Sequence, residues 1–286
     1  MTSMKFEKWQ ALGNDYVILE AAELPWELTP GRVRRLCDSH LGIGADGVLL
    51  LSQAQEPGFV ARLRIFNPDG SEAELSGNGA REAIMYLRRN GWTDASTFSI
   101  ETAAGEIRPT ITGETTCTVD MGRAKLRSAD YPAGDDQGGG EVEANGRRWT
   151  FQHVSIGNPQ CVIFVDRDEI EGLDLAAIGP PIERSELFPN RTNVSFVCEL
   201  EPGTIRARIF ERGVGETLSS GTGACGAAVA YVQLGGADPE VTVRLDGGEL
   251  EVEVGEDLHV NLSGWAVPVF RGELTAELAE ELNATE

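Results

Sequence analysis

Apolar positions along this chain fall mostly into short runs broken by glycine, proline and acidic turns, the punctuation of strands joined by a few helices. Residues 6–10 and 16–19 read as two strands around the turn Leu12-Gly13-Asn14-Asp15, a hairpin signal. Thr29-Pro30-Gly31 opens a helix over GRVRRLCDSH, with proline at a first-turn position that tolerates it. Residues 42–47 then lead into the strand VLLL, and 98–121 alternate as strands. The polar, turn-rich stretch 131–140 reads as a loop near a domain boundary, and Asn145-Gly146 as a hairpin turn between EVEA and RRWTF. VSIGNPQCVIFV, a helical stretch near Leu173 and FPNRTNVSFVCEL follow, and strands recur in VTVRL, ELEVEV and LHVNL. The tail ELTAELAEELNATE is helix-prone, with a solvated face expected.

The chain is organised around ARLRIFNPDGSEAELSGNGAREAIMYL, residues 61–87, which reads as strand, acidic turn and helix. It returns 144 residues later as IRARIFERGVGETLSSGTGACGAAVAY without a gap. Ten of the 27 columns are identical, against roughly two expected from average composition. Among the identities are Arg64/Arg208, Glu72/Glu216, Ser76/Ser220, Gly77/Gly221 and Gly79/Gly223. The chain is therefore read as a duplication with two equivalent helix starts.

Composition narrows the function classes. A formal net charge of −22 argues against nucleic acid and anionic membranes as partners. Only Lys5, Lys8 and Lys125 are lysine; acid excess with so little lysine points to a salt-rich cytoplasm, where screening removes self-repulsion. No apolar run approaches the ~20 residues of a membrane span, and MTSMKFEKWQALGND lacks a signal-peptide core, so a cytoplasmic protein is expected. Five cysteines without CxxC spacing read as reduced thiols rather than a disulfide frame or zinc site. Cys117, Cys161 and Cys198 lie in strand-like runs and are expected to be buried.

Two glycine patterns imitate the dinucleotide fingerprint. The one at 42–47 has its context reversed, with helix before and strand after. The one at 221–226 follows a strand, but its twin at Gly77 lacks the third glycine and polar GVGETLSS intervenes, so a nucleotide role is disfavoured. A different chemistry suits these helix starts. A helix N-terminus offers unpaired N–H groups and about half a positive charge, and glycine lets a carboxylate approach the backbone. Two such ends on one carboxylate would stabilise charge as the neighbouring C–H bond loses its proton. Ser76 and Ser220 would then address opposite faces of that carbon, the geometry of a racemase or epimerase. A single copy would be an ordinary serine N-cap; two matched copies favour the functional reading.

The ordered blocks Leu12-Gly13-Asn14-Asp15, Cys37-Asp38-Ser39-His40 with GIGADGVLL, IFNPDGSEAE, SGNGAR, Gly157-Asn158-Pro159, Arg191-Thr192-Asn193-Val194, Glu211-Arg212-Gly213 and SGTGAC make the chain resemble diaminopimelate epimerase over nearly its whole length. The resemblance implies a cofactor-independent, metal-free enzyme interconverting LL- and meso-diaminopimelate for lysine and cell-wall synthesis, in a family that commonly forms homodimers. It implies an α/β (α+β) fold of two pseudo-symmetric halves, each a curved, mostly antiparallel sheet around a central helix, with the active site between them. The halves would be 1–122 completed by 265–286, and 123–264. By the same resemblance the reacting carboxylate would sit on Gly77, Asn78, Gly221 and Thr222. Asn14, Asn67, Asn158, Asn193, Glu211 and Arg212 would read the distal amino-acid end. That set is chemically sensible, since a zwitterion needs an arginine for its carboxylate and acceptors for its ammonium.

The pattern breaks at the bases. The family's two catalytic cysteines correspond to Ser76 and Ser220, and its histidine after GNP is Gln160. A thiol is lowered to within about 3.5–7.5 at a helix N-terminus; a serine hydroxyl needs an adjacent base. His40, His153 and His259 are scattered and read as structural, while Glu74, Glu211 and Glu216 are possible helpers. Three readings follow: an epimerase whose serines use a base the sequence does not identify, a deliberately disabled variant, or a divergent member turned related isomerase, dehydratase or binder. The last two would include a protein that binds diaminopimelate or another amino acid without epimerising it.

Overall fold

The structure, a computed structural model, describes residues 4–236 and 239–285. The first three residues of the N-terminal stretch and the last of the acidic tail lie outside the described residues. The chain divides into two compact units, one running to Val119 and resuming at Gly264, the other Asp120–Ser263.

In the first unit the strands run in the order Val267–Glu273, Lys5–Ala11, Asn14–Glu20, Val48–Ser52, Ala61–Phe66, Ile100–Thr102, Gly105–Ile107. The second repeats the arrangement with Gly139–Ala144, Arg147–Ser155, Pro159–Phe164, Asn193–Glu201, Thr204–Glu211, Glu240–Leu245, Gly248–Val254, and His259–Trp265 beyond. Two neighbouring pairs in each series are parallel: Asn14–Glu20 with Val48–Ser52 and Ala61–Phe66 with Ile100–Thr102, then Pro159–Phe164 with Asn193–Glu201 and Thr204–Glu211 with Glu240–Leu245. The remaining pairs are antiparallel. A parallel pair needs a crossover, and a helix supplies it. Gly77–Arg89 and Gly221–Gln233 make the second crossover in their respective units. The edge place held by Gly139–Ala144 in the second unit is taken in the first by the C-terminal strand Val267–Glu273, which pairs with Lys5–Ala11.

Each sheet wraps its own crossover helix. Residues 78–87 are all buried, as are 223–231, so these helices are enclosed rather than amphipathic surface elements. Strand residues alternate between faces. Leu49 meets the Gly77–Arg89 helix, its Cδ2 lying 3.1 Å from where a Cβ on Gly79 would be. Val48, Leu50 and Phe66 face the other way, into a cluster with Val33, Leu36 and Leu282. The second unit fills the same outer layer with Trp149, Phe151, Phe188, Phe196 and Ile182. Full burial of such side chains contributes roughly 1.5–3 kcal/mol each.

Several boundaries differ from the sequence reading for local reasons. The helix predicted over 31–40 is Pro30–Cys37, because Asp38 turns extended and its carboxylate accepts the His40 and Leu41 N–H groups. That competing cap ends the helix. Leu173 lies between two helices, Arg167–Ile170 and Leu175–Glu183. Gly139 and Gly140 of the predicted loop belong to the strand Gly139–Ala144. Asn145 and Gly146 both have positive φ, 51° and 73°, as a two-residue hairpin turn requires. The tail helix Ala276–Ala284 is docked rather than wholly solvated: Leu282 is buried, Arg35 holds Glu281 through two 2.8 Å bonds, and Arg32 donates to the Leu282 carbonyl.

Candidate active site

The repeated identities are explained by what leads into each crossover helix. In the first unit Arg64 holds Glu72 through two hydrogen bonds of 2.8 and 2.7 Å, clamping the strand end to Glu72–Ala73. In the second, Arg208 holds Glu216 at 2.9 and 2.6 Å beside Gly215–Thr217. Glu216 is thereby committed to the hairpin and is unavailable as a base. The hairpin delivers the chain to the serine N-cap.

Ser76 and Ser220 adopt the same extended N-cap conformation, φ/ψ of −131°/123° and −143°/119°. Each Oγ accepts the N–H of the third helical residue: Gly79 to Ser76 at 3.1 Å and Gly223 to Ser220 at 3.2 Å. Helix geometry leaves the first two amides, Gly77 and Asn78 or Gly221 and Thr222, without an intrahelical acceptor. Those amides and the end of the helix dipole suit an anion. The same field favours a serine oxygen that gives up its proton.

Around these caps the two units differ. Ser220 is buried and donates to Glu211 Oε2 at 3.1 Å; Thr217 donates to Glu211 Oε1 at 2.8 Å. Burial pushes the Glu211 carboxyl above the ordinary glutamate range, and the two hydroxyl donors offset part of that. Ser76 is half-buried and receives the Tyr16 hydroxyl at 3.2 Å. Among the described residues its side chain has no carboxylate or imidazole partner.

The first unit also gathers Asn14 and Asn78, with Asn78 Nδ2 donating to Asn14 Oδ1 at 3.3 Å and Asn14 Nδ2 donating to Asp46 at 2.9 Å. Arg81 donates to Asn78 Oδ1 at 2.5 Å. Asn67 lies at the Asp69 turn, donating to Ser71 Oγ. In the second unit Asn158 Nδ2 donates to Thr222 Oγ1 at 3.1 Å, while Gln160 Nε2 donates to Asn158 Oδ1 at 2.7 Å. Asn193 is buried and accepts the Arg212 backbone N–H at 2.8 Å; the exposed Arg212 guanidinium donates to the Asn190 carbonyl at 2.7 Å. Gln160 is fully buried, and a Cβ on Gly226 would lie 2.8 Å from its Cγ, so only glycine lets the helix pass it.

Sequence reasoning missed Tyr16, Thr217 and Asp46. One available signal was an extension of the repeat: 157 − 13 and 158 − 14 both equal 144, so Gly13-Asn14 matches Gly157-Asn158 in the register of the helix starts. The sheets agree, with Val17 opposite Val48 and its counterpart Cys161 opposite Val194. Tyr16 is thus the twin of Gln160, and Asn67 the twin of Glu211.

The other candidates are either occupied or exposed to solvent. His153 is buried, holds Ser128 Oγ at 2.9 Å, and burial lowers its pKa; His259 pairs with Asp120 at 2.8 Å, and His40 and Glu74 are exposed. All five cysteines are buried thiols outside any disulfide, and burial beside Asp15 and Asp46 pushes the Cys37 thiol up to about 12. Among the described residues no three His, Cys, Asp or Glu side chains are grouped to hold a metal, and no helix is long and apolar enough to cross a membrane.

Comparison with known proteins follows the same lines. The sequence model of the family described as diaminopimelate epimerase matches residues 6–127 and 152–267. A diaminopimelate epimerase of Moorella thermoacetica is 41% identical over 280 residues, covering 94% of this chain and 99% of that protein. Among solved structures, a PhzF-family phenazine biosynthesis protein of Bacillus anthracis superposes with a TM-score of 0.67 at 19% identity, covering 96% of this chain and 100% of the other. A probable proline racemase of Agrobacterium radiobacter gives 0.67 at 17% identity, over 96% and 93%. At those identities the structural likeness speaks for the fold.

Proposed function

The chain belongs to the diaminopimelate epimerase family of amino-acid epimerases, and from that premise we propose that its serine form is catalytically competent. It interconverts LL- and meso-diaminopimelate without a cofactor. The observation that carries this reading is the Ser220–Glu211 hydrogen bond at a helix N-terminus: the borrowed base that a serine needs is present.

In the proposed reaction the α-carboxylate binds the Gly77, Asn78, Gly221 and Thr222 amides, whose partial charges stabilise the carbanion as it forms. Ser220 Oγ takes the α-proton from one face while its own proton passes to Glu211. Gly223 N–H supports the charge that develops on Oγ. Ser76 returns a proton on the opposite face. Asn14, Asn67, Asn158, Asn193 and Arg212 recognise the distal amino-acid end, and Glu211 serves Ser220. We further infer a cytoplasmic homodimer adapted to high salt, from the acidic surface chemistry and the family resemblance.

The test is conversion of LL- to meso-diaminopimelate at high salt, followed by chiral separation. Conversion abolished by Glu211→Gln supports the reading. A second reading, a non-epimerising binder, is favoured by one observation: the family's histidine is replaced by Gln160, an amide committed to Asn158. Saturable binding with no conversion by the unmodified protein would establish that alternative.

A further inference from the structure

We propose that Tyr16 is the proton source behind Ser76, so that the two serines are backed by different acids. The inference rests on the two-serine epimerase reading and supplies what that reading leaves open, the group that lets a neutral serine deliver a proton and be recharged.

Three observations carry it. First, Tyr16 hydroxyl donates to Ser76 Oγ at 3.2 Å while Gly79 N–H donates to the same oxygen at 3.1 Å. An oxygen receiving two donors keeps its own hydroxyl proton for a third group, which makes Ser76 a donor; Ser220, whose proton points at a carboxylate, is an acceptor. Second, the phenol is held in place. Tyr16 is 5% exposed, and a Cβ on Gly47 would fall 2.6 Å from its Cε1, so a glycine clears the ring's path. Third, the contact is not a by-product of the repeat. The twin of Tyr16 is Gln160, which binds Asn158 rather than Ser220. The twin of Glu211 is Asn67, which binds Ser71 rather than Ser76. Each unit backs its serine from a different position, with a phenol in one and a carboxylate in the other.

Ser220 Oγ takes the α-proton, its hydroxyl proton moves to Glu211, and the C–H electron pair stays on the substrate as a carboxylate-stabilised carbanion. That pair then forms a new C–H bond with the Ser76 hydroxyl proton on the other face, and Ser76 Oγ takes the phenolic proton of Tyr16. Tyr16 is left as phenolate and Glu211 as carboxylic acid; exchange with water resets both. The reverse reaction runs the same transfers backward. Tyr16 acts through Ser76 and is a positioning and proton-supplying residue rather than one that touches the substrate.

The experiment is α-hydrogen exchange in D₂O by NMR, started separately from each diastereomeric centre. Unmodified protein should exchange both. Tyr16→Phe, which removes only the hydroxyl, should lower exchange of the isomer whose α-hydrogen faces Ser76 by about 10²-fold or more, while the other isomer still exchanges without inversion. Glu211→Gln should give the opposite pattern. Repeating Tyr16→Phe in a Ser76→Cys background separates proton supply from packing. A thiol at a helix N-terminus ionises unaided, so the loss there should shrink below about tenfold. Equal losses in both backgrounds, or loss of both isomers or neither in Tyr16→Phe, overturn the role given to Tyr16. An unmodified protein that exchanges neither isomer overturns the epimerase reading beneath it.

Discussion

In the first unit Ser76 Oγ receives hydrogen bonds from Tyr16 and Gly79; in the second, Ser220 Oγ receives one from Gly223 and gives one to Glu211. The backbone is common to both: strand, clamped hairpin, extended N-cap and enclosed helix, with each strand's neighbours in the same order. Duplication preserved the part that aims a serine from a helix start. What surrounds the oxygen differs, and on the proposed reading that difference lets one serine accept a proton while the other donates. A symmetric pair of serines, each on a carboxylate, would offer two acceptors.

The largest effect that could break this comparison is expected at Glu211. Glu211→Gln should lower kcat by about 10²–10⁴-fold. In the unmodified protein the acidic limb of kcat/KM should lie above the ordinary glutamate range, because burial raises this carboxyl. A limb at an ordinary glutamate value, or its persistence in the glutamine variant, would remove Glu211 from the chemistry. Next in size is the response to a thiol. Ser76→Cys should raise turnover more than Ser220→Cys, since Ser220 already has a carboxylate and Ser76 does not; steady-state kinetics of the two single variants decides it. An equal gain would mean the two serines are backed alike.

Smaller effects sharpen the structural side. Arg208→Met should lower stability more than Arg64→Met in denaturant titrations. Both arginines grip their hairpin glutamate, but Arg208 also donates to the Ile170 and Leu173 carbonyls at 2.9 Å and is the more buried. About 1.5–3 kcal/mol is expected for a charge-assisted buried network, against about 0–1 kcal/mol for the exposed pair. The smallest effect concerns Glu82, twin of Gly226 by the same offset of 144. It is fully buried, and desolvation raises its carboxyl well above the ordinary value, with the Arg81 charge offsetting part of the penalty. The folded state therefore holds that proton more tightly than the unfolded chain, in which glutamate titrates near ~4.3. Its contribution to stability is full below that value and is lost as pH rises through the raised folded pKa. Glu82→Gln should raise the Tm at neutral pH, with a gain that shrinks on acidification; a constant gain across pH would contradict the assignment.

How much of this was legible differs by element. The helix starts were visible because a glycine-flanked serine recurs at a constant offset with Arg64/Arg208 and Glu72/Glu216 upstream, and the structure uses those four charges as one clamp in each unit. Tyr16 was hidden because its stretch shares only Gly-Asn with that of Gln160, and the residue that matters is the one that differs. Glu211 was visible as chemistry but not as a partner of Ser220. The Gly215–Thr217 hairpin folds Thr217 against Glu211 and leads the chain on to the serine, a contact across nine residues that spacing alone does not announce. The first crossover of the second unit, near Leu173, was placed roughly, because Pro180 and Pro181 sit inside its helix and blur the helical signal.

The central claim is that two helix-start serines move the α-proton, and solvent deuterium tests it most directly. Conversion of LL- to meso-diaminopimelate in D₂O should place one deuterium at the inverted carbon, and both Ser76→Ala and Ser220→Ala should abolish the inversion. Inversion with the original hydrogen fully retained, or inversion that survives both alanine substitutions, would contradict it.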